Sequence, residues 1–240
     1  MELPGPAFAF DTDRVYRAVA DTGARSVIIT SPNNPTGRAV PSHDVLRLDK
    51  LLVPHAATVV VDESFVDFSD DEASLEPFLD DYHNLVIVKS MSKAYGVAGL
   101  RLGYLATADA ELLRRVRTAL PIWNINGVAE EFLRHLPHFG DDFRRSLDRV
   151  RQARHRLIAD LARHPGLRVL ESDANFVLVH VAPPWTATRL VAELFSRYNI
   201  LIKDCSGKPM ADSAQYVRIA VRTEPENQRL VAAVFEICGA

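Results

Sequence analysis

The sequence predicts an α/β protein in which a mainly parallel sheet is followed by a smaller α/β domain. In the first half, short apolar runs alternate with helical patterns, as in the crossover units of a parallel sheet. After Asp109 the pattern becomes mostly helical, and strand candidates return only from Leu167 onwards. We therefore place a large domain at residues 1–125, and connecting helices with a small domain at residues 126–240.

The elements of the first half are marked by capping residues and β-branched runs. One helix begins behind the cap candidates Asp11 and Thr12 and ends at Gly23, and a second runs from the cap candidate Ser42 to Leu52. The β-branched run before Asp62 is typical of a buried strand. The predicted strands are 27–29, 58–61, 85–88 and 100–106.

The second half is predicted from helical periodicity and from its helix ends. The last helix carries a capping box, Thr223 with Glu226 three residues later, and ends at Gly239. The other predicted helices are 109–120, 127–135, 143–163 and 186–198. The predicted strands are 167–170, 175–180, 200–203 and 216–221.

The composition excludes several classes of protein. A net charge of −3 with 25% charged residues gives no field that would attract nucleic acid or an anionic membrane, so we expect a small-molecule partner. The first ten residues lack the basic and apolar regions of a leader, no apolar run is long enough to cross a bilayer, and the two cysteines are far apart. We therefore expect a cytoplasmic protein that binds neither nucleic acid nor membrane.

Two charged stretches are interpreted as solvated surface. The arginines of the predicted helix at 143–163 are interspersed with acidic residues. An acidic cluster is expected to form a solvated loop and not a metal cage, so no metal site is predicted. This cluster consists of Asp67, Asp70, Asp71 and Glu72. Trp123 is equally compatible with core packing and with the substrate side of a site.

Four segments carry most of the functional information. The segments at 31–37, 62–65, 90–103 and 216–222 read SPNNPTG, DESF, SMSKAYGVAGLRLG and YVRIAVR. In content and order they resemble the class I/II aminotransferases, most closely the branch of histidinol-phosphate aminotransferase and threonine-phosphate decarboxylase. The resemblance covers essentially the whole chain. It implies the three-layer large domain of fold-type-I enzymes, the cofactor pyridoxal 5'-phosphate (PLP) and a homodimer.

The resemblance assigns three residues to the reacting end of PLP. Lys93 matches the lysine that forms the Schiff base and later moves the proton on the substrate. Asp62 matches the carboxylate that keeps the ring nitrogen protonated, which makes the ring an electron sink. Asn34 matches the amide that donates to the phenolic oxygen.

Five further positions match groups that bind anions. Ser90, Ser92 and Arg101 match the residues that hold the phosphate of PLP. Arg218 matches the arginine that receives the α-carboxylate of the substrate. The resemblance places Lys203 where relatives carry a phosphate-contacting arginine, which implies a phosphorylated or phosphonate substrate.

Two departures from the family pattern keep alternatives open. Phe65 stands where aminotransferases usually have a tyrosine, and phenylalanine cannot donate to the phenolic oxygen. Relatives also carry about a third more chain before the first helix, so the large domain is expected to be incomplete. The main functional interpretation is that the protein transfers an amino group between an amino acid and a keto acid. The alternatives are a decarboxylase of the threonine-phosphate type, and an inactive remnant or a subunit that needs a partner chain.

Overall fold

The computed structural model describes residue 5, residues 7–71 and residues 73–239. These residues form two four-stranded sheets, one in each half of the chain. The first sheet contains β1 (Ser26–Thr30), β2 (Thr58–Asp62), β3 (Leu85–Ser90) and β4 (Gly103–Ala106), in that order. The second has the order β5-β6-β8-β7, with β5 (Leu167–Val169), β6 (Phe176–Val181), β7 (Lys203–Asp204) and β8 (Tyr216–Ala220).

The first sheet is mixed. β1 pairs with β2 and β2 with β3 in parallel, whereas β4 runs antiparallel to β3. In the second sheet all pairings are antiparallel. The prediction of an α/β protein with a mainly parallel first sheet is therefore confirmed. The domain boundary after residue 125 stays a prediction.

Two helices cover one face of the first sheet. α1 (Thr12–Thr22) is capped by Asp11, which accepts the Arg14 N–H at 3.0 Å, and it ends at Gly23 in the left-handed conformation. α2 (Ser42–Leu52) follows Pro41, so Ser42 is its first helical residue and not its cap as predicted. Their apolar side chains bury alternate residues of the strands, which share one face because strands alternate. The strand residues in this core are Ile29, Val59, Val61, Leu85 and Ile87.

Of the remaining helices, the first is short and was not predicted, and the other five follow the predictions closely. They are α3 (Met91–Ala94), α4 (Ala110–Ala119), α5 (Gly127–His135), α6 (Gly140–Ala162), α7 (Ala187–Tyr198) and α8 (Glu224–Cys238). The predicted capping box at the start of α8 is present. Two strands, at Gly103–Ala106 and Lys203–Asp204, begin later than the predicted starts at 100 and 200. β4 begins only after Arg101, whose left-handed backbone interrupts the extended run, and β7 contains two residues.

The second sheet is covered on both faces. Side chains of α6, α7 and α8 pack on one face, against Val177, Val179 and Val217. On the other face, Leu178 and Tyr216 of the sheet pack with Phe8 and Met210. This sheet therefore has a closed core on each side.

The interpretation of the two charged stretches as solvated surface agrees with the exposure of most of their described residues but is wrong for Arg154 and Asp67. Arg154 on α6 is fully buried; its Nη1 donates to the carbonyl oxygens of Phe68 and Ala174 at 2.7 and 3.0 Å, and its Nη2 donates to Asp70 at 2.5 Å. Asp67 accepts a 2.8 Å hydrogen bond from buried Lys89. Buried charges need such partners, which sequence periodicity does not reveal. Glu72 lies outside the described residues.

Among the described residues, no helix is both long and apolar enough to cross a bilayer. Within the same ranges, no cluster of three or more histidine, cysteine, aspartate or glutamate side chains is arranged to hold a metal ion. The prediction about a leader concerns the first ten residues, of which 1–4 and 6 are outside the described part.

Candidate active site

The site is built at the carboxyl ends of the parallel strands. Thr30 and Asp62, the last residues of β1 and β2, lie in register with each other, and Asp62 is in register with Val88 near the end of β3. The Ser31 N–H donates to the Asp62 carbonyl at 3.0 Å, and the Glu63 N–H donates to the Val88 carbonyl at 2.9 Å. The backbone of Asp62 is thus held from both sides, at the sheet edge where α/β proteins gather ligands.

The carboxylate of Asp62 is held by a serine that the sequence analysis did not identify. Oδ1 accepts both the N–H of Ser64 at 3.0 Å and its Oγ–H at 2.5 Å. Within the described residues, Oδ2 accepts no hydrogen bond. An aspartate followed two residues later by a serine at a strand end was the available signal, since this spacing forms Asx turns.

Lys93 is carried on a short helix directly after β3. Ser90, the last residue of the strand, caps α3, and its Oγ accepts the Ser92 N–H at 3.3 Å. Lys93 is exposed on this turn. Tyr95, two residues later, stacks on Phe143 of α6 with ring centroids 4.2 Å apart. The lysine is therefore attached to a rigid strand end and leaves its amine accessible.

The turn that contains Asn34 is fixed against the second half of the chain. The Gly37 N–H donates to the Asn33 carbonyl at 2.8 Å, and the backbone of Gly37 is left-handed. A Cβ at Gly37 would collide with the Ser172 side chain, so the close approach of the two halves requires glycine here. The Asp173 N–H donates to the Gly37 carbonyl at 2.7 Å.

Asn34 and Arg218 meet directly, although they are 184 residues apart in sequence. Nη1 of Arg218 donates to Oδ1 of Asn34 at 2.7 Å. Because a guanidinium only donates, this bond assigns the amide oxygen to Arg218 and leaves Nδ2 of Asn34 as a donor for another group. The guanidinium carbon also lies over the ring of Phe176, 4.9 Å from its centroid. The ring of Phe65 packs against the Phe176 ring in an edge-to-face arrangement, with the two centroids 5.2 Å apart.

Basic side chains gather around Arg218. Lys203 on β7 stands opposite Arg218 on β8. Burial raises the pKa of the Cys205 thiol, while the nearby charges of Arg218, Lys203 and Lys208 act in the opposite direction. These three cations form a basic corner, a name kept below for Lys203, Lys208 and Arg218. Arg222 instead pairs with Glu226 at 2.9 Å, as a structural arginine.

Arg101 and the loop before α5 lie on the exposed side of the site. Arg101 is exposed, and its Nη1 donates to the Ala98 carbonyl at 3.2 Å. Asn126 donates to the Leu100 carbonyl at 3.0 Å and so ties the loop at 121–126 to this segment. Trp123 in that loop is 91% exposed, which excludes the core-packing interpretation.

Most of the predicted residues thus form two connected groups, whereas the hydrogen bond of Arg101 goes to Ala98 and joins it to neither group. Hydrogen bonds through Ser64 join Asp62 to the turn of Ser90 and Ser92, which also carries Lys93. A direct bond joins Asn34 to Arg218. A cavity of about 840 Å³ lies elsewhere, between α1 and β1, and none of the predicted site residues lines it.

Comparison with known proteins identifies a family. The family model described as aminotransferase class I and II matches residues 4–234. The CMP-5'-(3-aminopropyl)phosphonate synthase of Streptomyces rubellomurinus is 47% identical over 99% of this chain and 38% of that protein. A histidinol-phosphate aminotransferase of Ruminiclostridium cellulolyticum is 29% identical over 96% and 62% of the two chains. An L-serine phosphate decarboxylase of Campylobacter jejuni is 28% identical over 88% and 55%.

Solved structures show the same fold. The histidinol-phosphate aminotransferase from Clostridium acetobutylicum matches with a TM-score of 0.90 and 26% identity, over 97% of this chain and 69% of that one. The enzyme from Sinorhizobium meliloti, solved with pyridoxal-5'-phosphate, matches with a TM-score of 0.78 and 26% identity over 96% and 61%. The L-threonine-O-3-phosphate decarboxylase from Porphyromonas gingivalis matches with a TM-score of 0.78 and 29% identity over 90% and 65%.

These matches cover nearly all of this chain but less of its relatives. The chain spans between 38% and 62% of the length of the three curated relatives named above. The predicted resemblance to the branch of histidinol-phosphate aminotransferases and threonine-phosphate decarboxylases is confirmed. The predicted cofactor is confirmed at the level of the family.

Proposed function

The chain belongs to the class I and II aminotransferases, whose cofactor is PLP, and we propose that it acts as a PLP-dependent aminotransferase centred on Lys93. One observation carries the proposal. At the ends of neighbouring parallel strands, Asp62 has one carboxylate oxygen that accepts no hydrogen bond from the described residues, and the strand beside it is followed directly by the short helix that carries the exposed Lys93.

The donors and acceptors of this site fit PLP. Oδ2 of Asp62 is an acceptor for a protonated ring nitrogen, and Nδ2 of Asn34 is a donor for the phenolic oxygen. Ser90, Ser92 and Arg101 would supply hydroxyl groups and a cation for the phosphate. When bound, the cofactor stabilises negative charge at the α-carbon of the substrate.

Two residues of the chain act on the substrate in this proposal. Lys93 holds the cofactor and then, as a free amine, moves a proton at the α-carbon of the substrate. Arg218 binds the α-carboxylate as a bidentate pair. Its contact with Phe176 orients the guanidinium, and its bond to Asn34 places the carboxylate beside the ring oxygen that Asn34 would contact.

We propose that the substrate carries a phosphate or phosphonate group. The basic corner provides two lysines beside Arg218, more positive charge than one carboxylate requires. The names of the three curated relatives each contain a phosphate or phosphonate compound.

The test of this specificity compares paired substrates. Amino acids with a terminal phosphonate and their uncharged analogues are assayed for keto acid formation. Lys203→Gln is expected to raise KM for the phosphonate substrates about tenfold and to leave the uncharged ones unchanged, because one charge-assisted contact is lost. Lys50→Gln on α2 is the control. Equal KM changes for both substrate types would contradict the proposed role of Lys203.

A decarboxylase of the threonine-phosphate type is the second candidate. Phe65 favours it, because the side chain is buried against Phe176 and cannot donate to the phenolic oxygen as a tyrosine would. The relatives include decarboxylases as well as aminotransferases. Product analysis separates the two reactions: release of carbon dioxide without a keto acid would replace the aminotransferase proposal.

We also propose a homodimer in the cytoplasm. The exposed loop at 121–126 presents large apolar side chains, of which Ile122 is 94% and Trp123 91% exposed, and such patches mark interaction sites. Trp123→Ser is expected to shift the mass measured by light scattering from dimer to monomer. Phe195→Ser, a change of an equally apolar exposed residue on α7, should leave the dimer intact.

A third candidate is a subunit whose site is completed by another polypeptide. The face of the first sheet opposite α1 and α2 favours it, because Ile28 on that face is 75% exposed. Covalent trapping of PLP on Lys93 without turnover of any substrate would support this candidate over the first two. An inactive remnant predicts neither trapping nor turnover.

A further inference from the structure

Ser64 is a buried hydroxyl group that the proposed function does not use. It lies two residues after Asp62 and is only 7% exposed. Its Oγ takes part in two hydrogen bonds, one of 2.5 Å with Oδ1 of Asp62 and one of 3.0 Å with the N–H of Ser90. One side chain thus joins the end of β2 to the turn that carries Lys93.

The direction of these bonds follows from the donor inventory. A backbone N–H only donates, so Oγ of Ser64 accepts from Ser90 and its own proton points to the Asp62 carboxylate. Oδ1 of Asp62 therefore receives two donors from the same residue, the N–H and the O–H of Ser64. Rotation of the carboxylate would break both bonds. Water competes poorly for them because the hydroxyl is buried.

The neighbouring acidic residue is held separately. Glu63 accepts the Oγ–H of Ser74 at 2.5 Å and the N–H of Leu75 at 2.7 Å. Burial raises the pKa of Glu63, and the bonds from Ser74 and Leu75 oppose that rise. Two consecutive carboxylates at the end of β2 thus have different serine partners, and only the partner of Asp62 also reaches β3.

We propose that Ser64 is a positioning residue that orients the Asp62 carboxylate and couples it to the turn from Ser90 to Lys93. The inference rests on the proposed function, in which Oδ2 of Asp62 faces the ring nitrogen of PLP. With Oδ1 occupied by two donors, the carboxylate presents Oδ2 in one fixed direction. Without the hydroxyl, the carboxylate rotates more freely and the buried N–H of Ser90 loses its acceptor.

The test compares two serine variants that remove the same kind of bond. Ser64→Ala is expected to weaken PLP binding about tenfold, because a charge-assisted hydrogen bond is lost. It should also shift the nitrogen NMR signal of the pyridine ring in isotope-labelled PLP, since that nitrogen contacts Asp62. Ser74→Ala removes a serine-to-carboxylate bond of the same 2.5 Å length on the same loop, and it should leave both readouts at wild-type values.

Two further variants separate positioning from a general effect on folding. Ser64→Thr retains the hydroxyl and should restore the PLP affinity and the ring-nitrogen signal. Ser64→Cys keeps the shape of the side chain but is a weaker donor, so its affinity for PLP should be intermediate. This variant also provides the comparison if Ser64→Ala does not fold. Wild-type affinity and an unchanged ring-nitrogen signal in both Ser64→Ala and Ser64→Cys would overturn the proposal.

A second measurement needs no cofactor. In the PLP-free protein, hydrogen exchange of the Ser90 amide should accelerate about tenfold in Ser64→Ala relative to Ser74→Ala, because the amide loses its acceptor. If the wild-type protein binds no PLP, the proposed function fails. The exchange rate of the Ser90 amide still shows whether Ser64 couples Asp62 to the Ser90 turn. Equal exchange rates in the two variants would show that Ser64 does not hold the Ser90 turn.

Discussion

The two sheets are built from similar strands but are covered differently. In the second sheet, Val177 and Leu178 are adjacent on β6, point to opposite faces and are both fully buried. In the first sheet, Ile29 is buried under α1 and α2, whereas Ile28 is 75% exposed on the other face. Strands that are apolar on both faces are typical of sheets covered on both sides. This face of the first sheet is therefore open at β1, where Ile28 lies, whereas Val86 in the same cross-strand row on β3 is 3% exposed.

The same difference extends to buried charges. Arg154, which links the second half to the loop after β2, donates to two carbonyl oxygens and to Asp70. Asp49 on α2 is 2% exposed, and its Oδ1 has no hydrogen-bond partner in the described structure. The junction between the halves is thus held by a charge with three hydrogen bonds, although Nε of Arg154, like Oδ1 of Asp49, has no partner in the described structure.

The largest effect is expected when the junction is broken. Arg154→Met should lower the free energy of unfolding by about 3–5 kcal/mol, because the Phe68 and Ala174 carbonyl groups lose this buried donor and Asp70 retains only its contacts with Arg151 and His155. Urea unfolding measures this loss. Arg156→Met is the control on the same helix: its partner is Glu224 at 3.3 Å and it is exposed, so the change should cost less than about 1 kcal/mol. Equal losses would refute the assignment of the junction to Arg154.

A smaller change in the free energy of unfolding, in the stabilising direction, is expected when Asp49 is replaced. Burial raises its pKa from 3.8 to about 6, so the folded state retains a proton that the unfolded state releases near pH 4. This contribution to stability is present at pH values below 3.8 and is lost as the pH rises through 6.

Asp49→Asn should remove the loss of stability that the wild type shows as the pH rises through 6. At pH 7 the variant is expected to be more stable than the wild type by about 2–3 kcal/mol, and at pH 4 the difference should nearly vanish. Urea unfolding at both pH values gives the comparison. Asp21→Asn, at an exposed position on α1, should show no such pH dependence. A constant difference at pH 4 and pH 7 would mean that Asp49 does not titrate as expected.

The smallest effect is expected at the open face. Ile28→Ala should lower the free energy of unfolding by less than about 0.5 kcal/mol, as is usual for exposed positions. Ile29→Ala, the adjacent change on the covered face, should cost about 2–5 kcal/mol. If Ile28→Ala costs as much as Ile29→Ala, a second copy or another polypeptide covers this face in solution.

The sequence predicts most elements because local signals mark their ends. Asp11 and Gly23 bound α1 through a side-chain cap and a left-handed residue. Thr223 and Glu226 form the capping box of α8. The start of β4 was predicted too early because the left-handed conformation of Arg101 has no signal in a run of apolar residues.

Contacts over long sequence distances could not be predicted in this way. Arg154 lies in an arginine-rich helix whose pattern is typical of a solvated face, and its partner Phe68 is 86 residues away. The role of Ser64 depends on the Ser90 amide, 26 residues later. The site residues, by contrast, are predicted without any contact information, because the family pattern itself records which positions act together.

The attachment of PLP to Lys93 is tested directly by reducing the protein with borohydride in the presence of PLP and analysing its peptides by mass spectrometry. A single PLP adduct on Lys93 is the expected result, with loss of the visible absorption band in Lys93→Ala and its retention in Lys50→Ala. The proposed role of Lys93 is contradicted if no adduct forms on it, or if the adduct forms there no more than on Lys50, Lys203 and Lys208.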